Sequence, residues 1–155
     1  MKQARELVHG TCVALGRRGV LLRGGAGSGK SDLALRFMAL PGEGALCPGL
    51  VADDQVYVSA NPDGTLMASA PPTIAGKIEV RGLGIMPVPF LPEAELVLVC
   101  DLVGGKDVPR MPPESEKATV LAGVPLPTLR LAPFEASAPL KLKMALLRVT
   151  PDNAN

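Results

Sequence analysis

The sequence predicts an α/β fold built on a mixed, strand-rich sheet, and three observations lead there. The 155 residues include 17 glycines and 16 prolines, mostly single residues between short apolar runs, a pattern of many short strands and tight connections. One stretch of helix formers follows an apolar strand directly across a glycine-rich turn, and a second stretch with helical spacing lies near the C-terminal end. Hydrophobic residues make up 47% of the chain against 20% charged, enough apolar material for a buried core. At a usual domain size of roughly 100 to 200 residues, 1–155 reads as one domain, with 150–155 a frayed tail.

Each element follows from local pattern. Residues 8–15 and 19–22 are apolar enough for two strands, joined as a hairpin at Gly16-Arg17-Arg18-Gly19. From Ser31 the run Ser-Asp-Leu-Ala-Leu-Arg-Phe-Met-Ala-Leu forms a helix with Asp32 in its first turn, stopped by Pro41-Gly42. Short strands are expected at 50–52, 56–60 and 65–69, the last two joined by the turn Asn61-Pro62-Asp63-Gly64. Further strands are expected at 77–81, 96–101 and 126–131. Residues 104–118 carry Pro109, Pro112 and Pro113 among many charges and read as a mobile loop. Residues 138–149 have helical spacing, with Leu140, Met144 and Leu147 on one side.

Composition excludes several function classes. Sixteen basic against 15 acidic residues and 3% aromatics leave neither the basic excess nor the stacking residues of a nucleic-acid binder. No apolar run approaches the roughly 18 residues needed to span a bilayer, so no membrane insertion is expected. The polar opening Met1-Lys2-Gln3-Ala4-Arg5-Glu6 lacks the apolar core of a secretory signal, so the expectation is a cytoplasmic protein. Cys12, Cys47 and Cys100 are too far apart for a CxxC pair and read as reduced, mostly buried thiols.

The strongest chemical signal is Gly24-Gly25-Ala26-Gly27-Ser28-Gly29-Lys30-Ser31, which satisfies G-x-x-x-x-G-K-[ST] between a strand and a helix. Glycines let backbone N–H groups converge on phosphates, and the helix start adds favourable partial charge. Lys30 would neutralise the β- and γ-phosphates, and Ser31 would offer its hydroxyl to Mg²⁺. The expectation is a P-loop nucleotide-binding fold.

A Mg²⁺-nucleotide site also needs carboxylates, and two strand ends compete for that role. Residues 96–101 form the better buried strand followed by an acid, Asp101, whereas 50–54 end in the pair Asp53-Asp54. Transfer to a hydroxyl favours the pair, because one acid is needed near the attacking oxygen and another near the metal. Glu79 and Arg81, two apart, could serve metal and phosphate or form a surface ion pair. His9 is the single histidine.

Taken together, His9-Gly10-Thr11, the loop 24–31, Leu50-Val51-Ala52-Asp53-Asp54 and Ile78-Glu79-Val80-Arg81-Gly82-Leu83-Gly84-Ile85 resemble, in order, the catalytic domain of the bacterial HPr kinase/phosphorylase family. The resemblance is clear over about residues 8 to 100. It implies a fold related to phosphoenolpyruvate carboxykinase and an ATP- and Mg²⁺-dependent serine kinase. The acceptor would be an HPr-type phosphocarrier of the phosphotransferase system. In many members the enzyme also carries out phosphorolysis. On this likeness Asp53 is the general base, with His9 nearby. Asp54 and Glu79 support Mg²⁺ together with Ser31, and Lys30 holds the transferred phosphate. Arg110, in Asp107-Val108-Pro109-Arg110, stands nearest a family arginine that acts on phosphate, although members carry Asp-Arg adjacent there.

The sequence also departs from the family. The separate N-terminal domain of long members and their Pro-Gly-Arg-Asn stretch have no counterpart, Leu131-Ala132-Pro133-Phe134 standing where that stretch is expected. Residues 39–49 are longer than the family pattern. These features imply a short form with at most residual phosphorylase activity, and bear on whether the homo-oligomer of long members persists. Two other readings remain: a P-loop small-molecule kinase, and a non-catalytic module that senses ATP.

Overall fold

A computed structural model describes residues 5–112 and 118–149; the tail at 150–155 and part of the proline-rich loop, 113–117, lie outside the described residues. The chain opens with β1 (Arg5–His9), β2 (Thr11–Leu15) and β3 (Arg18–Arg23), then α1 (Lys30–Met38). There follow β4 (Pro48–Ala52), β5 (Gln55–Ala60), β6 (Leu66–Ser69), β7 (Lys77–Val80), β8 (Gly84–Pro87) and β9 (Ala94–Leu102). The last elements are β10 (Thr119–Leu121), β11 (Val124–Leu126), β12 (Thr128–Leu131) and α2 (Ala138–Arg148).

Eight strands form one mixed sheet in the order β1-β5-β6-β9-β3-β2-β4, with β12 also beside β9. β9 is the pivot: it runs parallel to β3 and β12 but antiparallel to β6. Parallel strands need a crossover, and β3 is followed by α1, which packs back on the sheet. Both helices lie on one face, where Leu33 and Phe37 of α1 and Leu142 and Leu146 of α2 meet Val13, Val20, Leu22, Leu98 and Cys100. On the second face Cys12, Leu21, Val51, Val58 and Val99 pack with Leu121 and Leu126 of the β10–β11 hairpin. β2 is buried along its whole length, as a strand covered on both faces must be.

Several sequence expectations shift for physical reasons. The strand expected at 8–15 breaks at Gly10, whose φ is 155° and where a Cβ would lie 2.7 Å from the Leu22 carbonyl oxygen. The strand expected at 126–131 splits around Pro127, which has no N–H to continue a ladder; its carbonyl accepts from the Val99 N–H at 3.0 Å. The strand expected at 77–81 ends at Val80, and β8 completes a separate hairpin with β7. β8 has no buried position, so no alternating pattern announced it.

The C-terminal helix is where expected, but its buried face is not the one its spacing suggested. Leu142 and Leu146 are fully enclosed, whereas Leu140, Met144 and Leu147 are exposed. Leu142→Ala should therefore cost about 2–5 kcal/mol. Leu140→Ala should stay within about 0.5 kcal/mol of wild type in denaturant melts; equal losses would contradict this orientation.

The cysteines follow their burial. Cys12 and Cys100 are buried and Cys47 is exposed, all three as free thiols. Burial raises both buried thiols from 9.0 to about 12, with the neighbouring Asp101 charge adding to the rise at Cys100. One thiol should react with a disulfide reagent in the native chain and three after denaturation. Because the unfolded thiols ionise first, stability should fall as pH rises from 9.0 towards about 12.

Candidate active site

The glycine-rich loop leaves β3 and turns into α1, with both ends held by close packing. A Cβ at Gly24 would lie 2.4 Å from Ser28 Oγ, and one at Gly29, at φ 98°, would lie 3.0 Å from the Phe134 ring. By contrast, Gly25 and Gly27 face open space, so the middle of the loop offers its backbone to a ligand. α1 begins at Gly29 with no side-chain cap, which leaves first-turn N–H groups for an anion. Lys30 Nζ lies back across the loop, donating to the carbonyls of Gly24 at 2.7 Å and Gly25 at 3.1 Å. A phosphate would compete well with two neutral carbonyls for an ammonium.

Beside this loop the end of β4 presents the two adjacent aspartates, and the break at Gly10 brings His9 and Thr11 to them. Asp53 is 7% exposed and accepts from Thr11 Oγ and Ser31 Oγ, each at 2.9 Å, and from the Glu79 N–H at 3.1 Å. Those three donors fix its carboxylate against the loop. Asp54 turns the other way, its Oδ1 3.0 Å from His9 Nε2 at the surface. The Gln55 N–H donates to the Asp53 carbonyl at 2.9 Å, closing a three-residue turn around Asp54 at φ 74°. A positive-φ γ-turn on a non-glycine residue is strained, and the Gly10 N–H donating to the Asp54 carbonyl at 3.0 Å helps hold it.

The two strand ends have different partners. Asp101 takes a two-pronged bond from Arg23, Nε to Oδ1 at 2.7 Å and Nη2 to Oδ2 at 3.0 Å, and the same guanidinium reaches Thr119. Its carboxylate is committed to an ion pair, whereas Asp53 bonds the loop serine. Glu79 joins the site through its backbone, with its side chain exposed, and no hydrogen bond links the Asp54 or Glu79 carboxylate to Ser31 among the described residues. Arg81 falls in the turn after β7 rather than on its face, and no ion pair joins it to Glu79 among the described residues. Arg110 is exposed, with no hydrogen bond to the site among the described residues.

Two contributors were given no role from the sequence. Thr11 is completely buried, and its hydroxyl orients Asp53. Arg36 of α1 bonds Asp32 at 3.0 Å, the Glu135 carbonyl at 3.2 Å and the Pro133 carbonyl, tying the segment after β12 to the helix that carries the loop. Thr11 stands in the matching stretch His9-Gly10-Thr11, but the partners that give either residue its place are distant in sequence.

Among the described residues no three His, Cys, Asp or Glu side chains gather as a ready cation cage. No helix among the described residues is long and apolar enough to cross a membrane.

Comparisons with known proteins bear on the family and the fold. The family described as "HPr Serine kinase C-terminal domain" matches residues 2–98. The HPr kinase/phosphorylase of Geobacillus thermodenitrificans is 35% identical over 134 residues, covering 80% of this chain and 41% of that protein. That of Burkholderia lata is 34% identical over 132 residues, covering 79% and 38%. The chain thus spans well under half the length of these relatives. The solved structure of the Hpr(Ser) kinase/phosphatase from Coxiella burnetii superposes with a TM-score of 0.71 at 24% identity, covering 92% of this chain and 88% of that one, and so shares the fold. Because the match spans more than half of the chain, and relatives at 34–35% identity cover about four-fifths of it, the chain belongs to the HPr serine kinase C-terminal domain family.

Proposed function

We propose that the chain is a Mg²⁺- and ATP-dependent serine kinase for an HPr-type phosphocarrier of the bacterial phosphotransferase system, acting in the cytoplasm as one catalytic domain. The observation that carries this reading is the bond between Ser31 of the phosphate loop and Asp53, an oriented carboxylate beside the loop that would hold the phosphates. Loop N–H groups and Lys30 would hold the β- and γ-phosphates. Ser31 would hold Mg²⁺, supported by Asp54 and Glu79, and the ion would supply neutralisation of the charge that develops on the phosphates.

Asp53 is the general base. The seryl oxygen attacks the γ-phosphorus, the bond from that phosphorus to the β,γ-bridging oxygen breaks, and the seryl proton passes to Asp53. Phosphoserine and ADP are the products. In a loose transition state the proton leaves late, so a carboxylate already bonded by three donors can serve: alignment matters more than basicity. His9, paired with Asp54, stands on the open side where a carrier would approach. Arg110 is assigned to phosphate only through the family likeness.

The test is to incubate the chain with Mg²⁺, ATP and an HPr-type carrier and weigh the carrier intact. One added phosphoryl group, lost when the metal is chelated, is the expected result. ATP binding with an unmodified carrier would overturn the acceptor assignment and favour a small-molecule kinase or an ATP-sensing module.

A further inference from the structure

Next to the phosphate loop lies a cavity of about 260 Å³ lined by Ser28, Leu102, Val103, Gly104, Pro133 and Phe134. We propose that it receives the planar base of the nucleotide, with Phe134 as the stacking platform. This deepens the kinase reading and rests on the phosphate loop binding a nucleoside triphosphate.

Position is the first support. β3, β9 and β12 run parallel, and the loop after β3, Val103 after β9 and Pro133 after β12 all lie beyond their carboxyl ends. That edge of an α/β sheet is where ligands bind. The volume falls below the range of about 300–1,000 Å³ usual for drug-sized ligands, which suits one ring system of a nucleotide whose phosphates lie elsewhere.

The walls are the second. The chain has three phenylalanines, one tyrosine and no tryptophan, and Phe134 is 70% exposed while Phe37 is completely buried. Phe90 is also open, but Phe134 is the ring that lines this cavity. It is not loose: its edge rests against Gly29, where a Cβ would come within 3.0 Å. Arg36 grips the carbonyls on either side, those of Pro133 and Glu135, and Glu135 is held in turn by Lys141 at 2.7 Å. The ring is therefore fixed to the loop it overlooks, which lowers the ordering cost of binding.

The third support is polar. Ser28 Oγ is buried without a hydrogen-bond partner among the described residues, and Ser28 lines this cavity. Such a hydroxyl is costly unmet, and a rotation of its side chain would present it to a ring nitrogen or ribose oxygen in the cavity.

The experiment titrates Mg²⁺-ATP and inorganic tripolyphosphate separately into the whole chain, using wild type, Phe134→Ala, Phe134→Trp and Lys30→Ala. Phe134→Ala should weaken ATP about tenfold, the scale of one base-aromatic stack, and leave tripolyphosphate within about twofold. Phe134→Trp should restore ATP affinity, and Lys30→Ala should weaken both ligands. Wild-type ATP affinity in Phe134→Ala, with tripolyphosphate still binding, would overturn the base pocket and leave the phosphate loop standing. Wild type binding neither ligand would overturn the phosphate-loop reading and this inference with it.

Discussion

Asp53→Asn is expected to give a folded chain that binds Mg²⁺-ATP but transfers its phosphoryl group about 100- to 10,000-fold more slowly, the range for loss of a general base. The fold should survive because an amide can replace each contact. Its oxygen accepts from the Glu79 N–H, and its NH₂ donates to the Thr11 and Ser31 hydroxyls, which rotate to accept. The loss would then report the missing carboxylate rather than a collapsed site. Thermal melting and ATP titration check the first half, and carrier phosphorylation at saturating ATP checks the second. A Mg²⁺ titration separates two roles for the residue. If the variant regained its rate at high Mg²⁺, Asp53 would be the metal-side acid, as its bond to Ser31 also permits, and Asp54 beside His9 would become the base. An unchanged Mg²⁺ requirement with a lost rate supports Asp53 as the base.

Lys30→Ala is expected to remove about 100- to 1,000-fold of transfer, the usual loss when one preorganised donor to developing charge is deleted. Here nucleotide affinity should fall as well, because the same ammonium meets the phosphates in the ground state. Among the described residues the hydrogen bonds of Lys30 Nζ go to the Gly24 and Gly25 carbonyls of its own loop, so little stability should be lost. Lys30→Arg should rescue poorly, since a planar fork does not occupy the place of a compact point charge. Binding isotherms and initial rates, compared between variants, read both effects. Wild-type ATP affinity in Lys30→Ala would contradict the role of the loop.

What could be read from the sequence was what is local. The phosphate loop is contiguous, its strand and helix flank it directly, and Asp53-Asp54 closes a short apolar strand. The choice between Asp53 and Asp101 was not local. Period-two alternation tells which residues share a face of one strand, but not which partner awaits each carboxylate. The Arg23 fork on Asp101 joins positions far apart in sequence. The break at Gly10 was hidden because the apolar pattern continues on both sides; only the approach to the Leu22 carbonyl shows why glycine is needed. Yet that break sends His9 to Asp54 and Thr11 to Asp53. The buried face of α2 was misread for a similar reason. Leu140, Met144 and Leu147 make as good a stripe as Leu142 and Leu146, and the packing against α1 and the sheet decides between them.

The most direct measurement preloads the chain with γ-labelled ATP and Mg²⁺ and mixes it rapidly with an HPr-type carrier, following a single turnover. Label appearing on the seryl oxygen of the carrier, and none with a carrier whose acceptor serine is replaced by alanine, is the expected result. Label released only as inorganic phosphate, or remaining on bound ATP, would contradict a phosphoryl transfer from this loop to a protein serine.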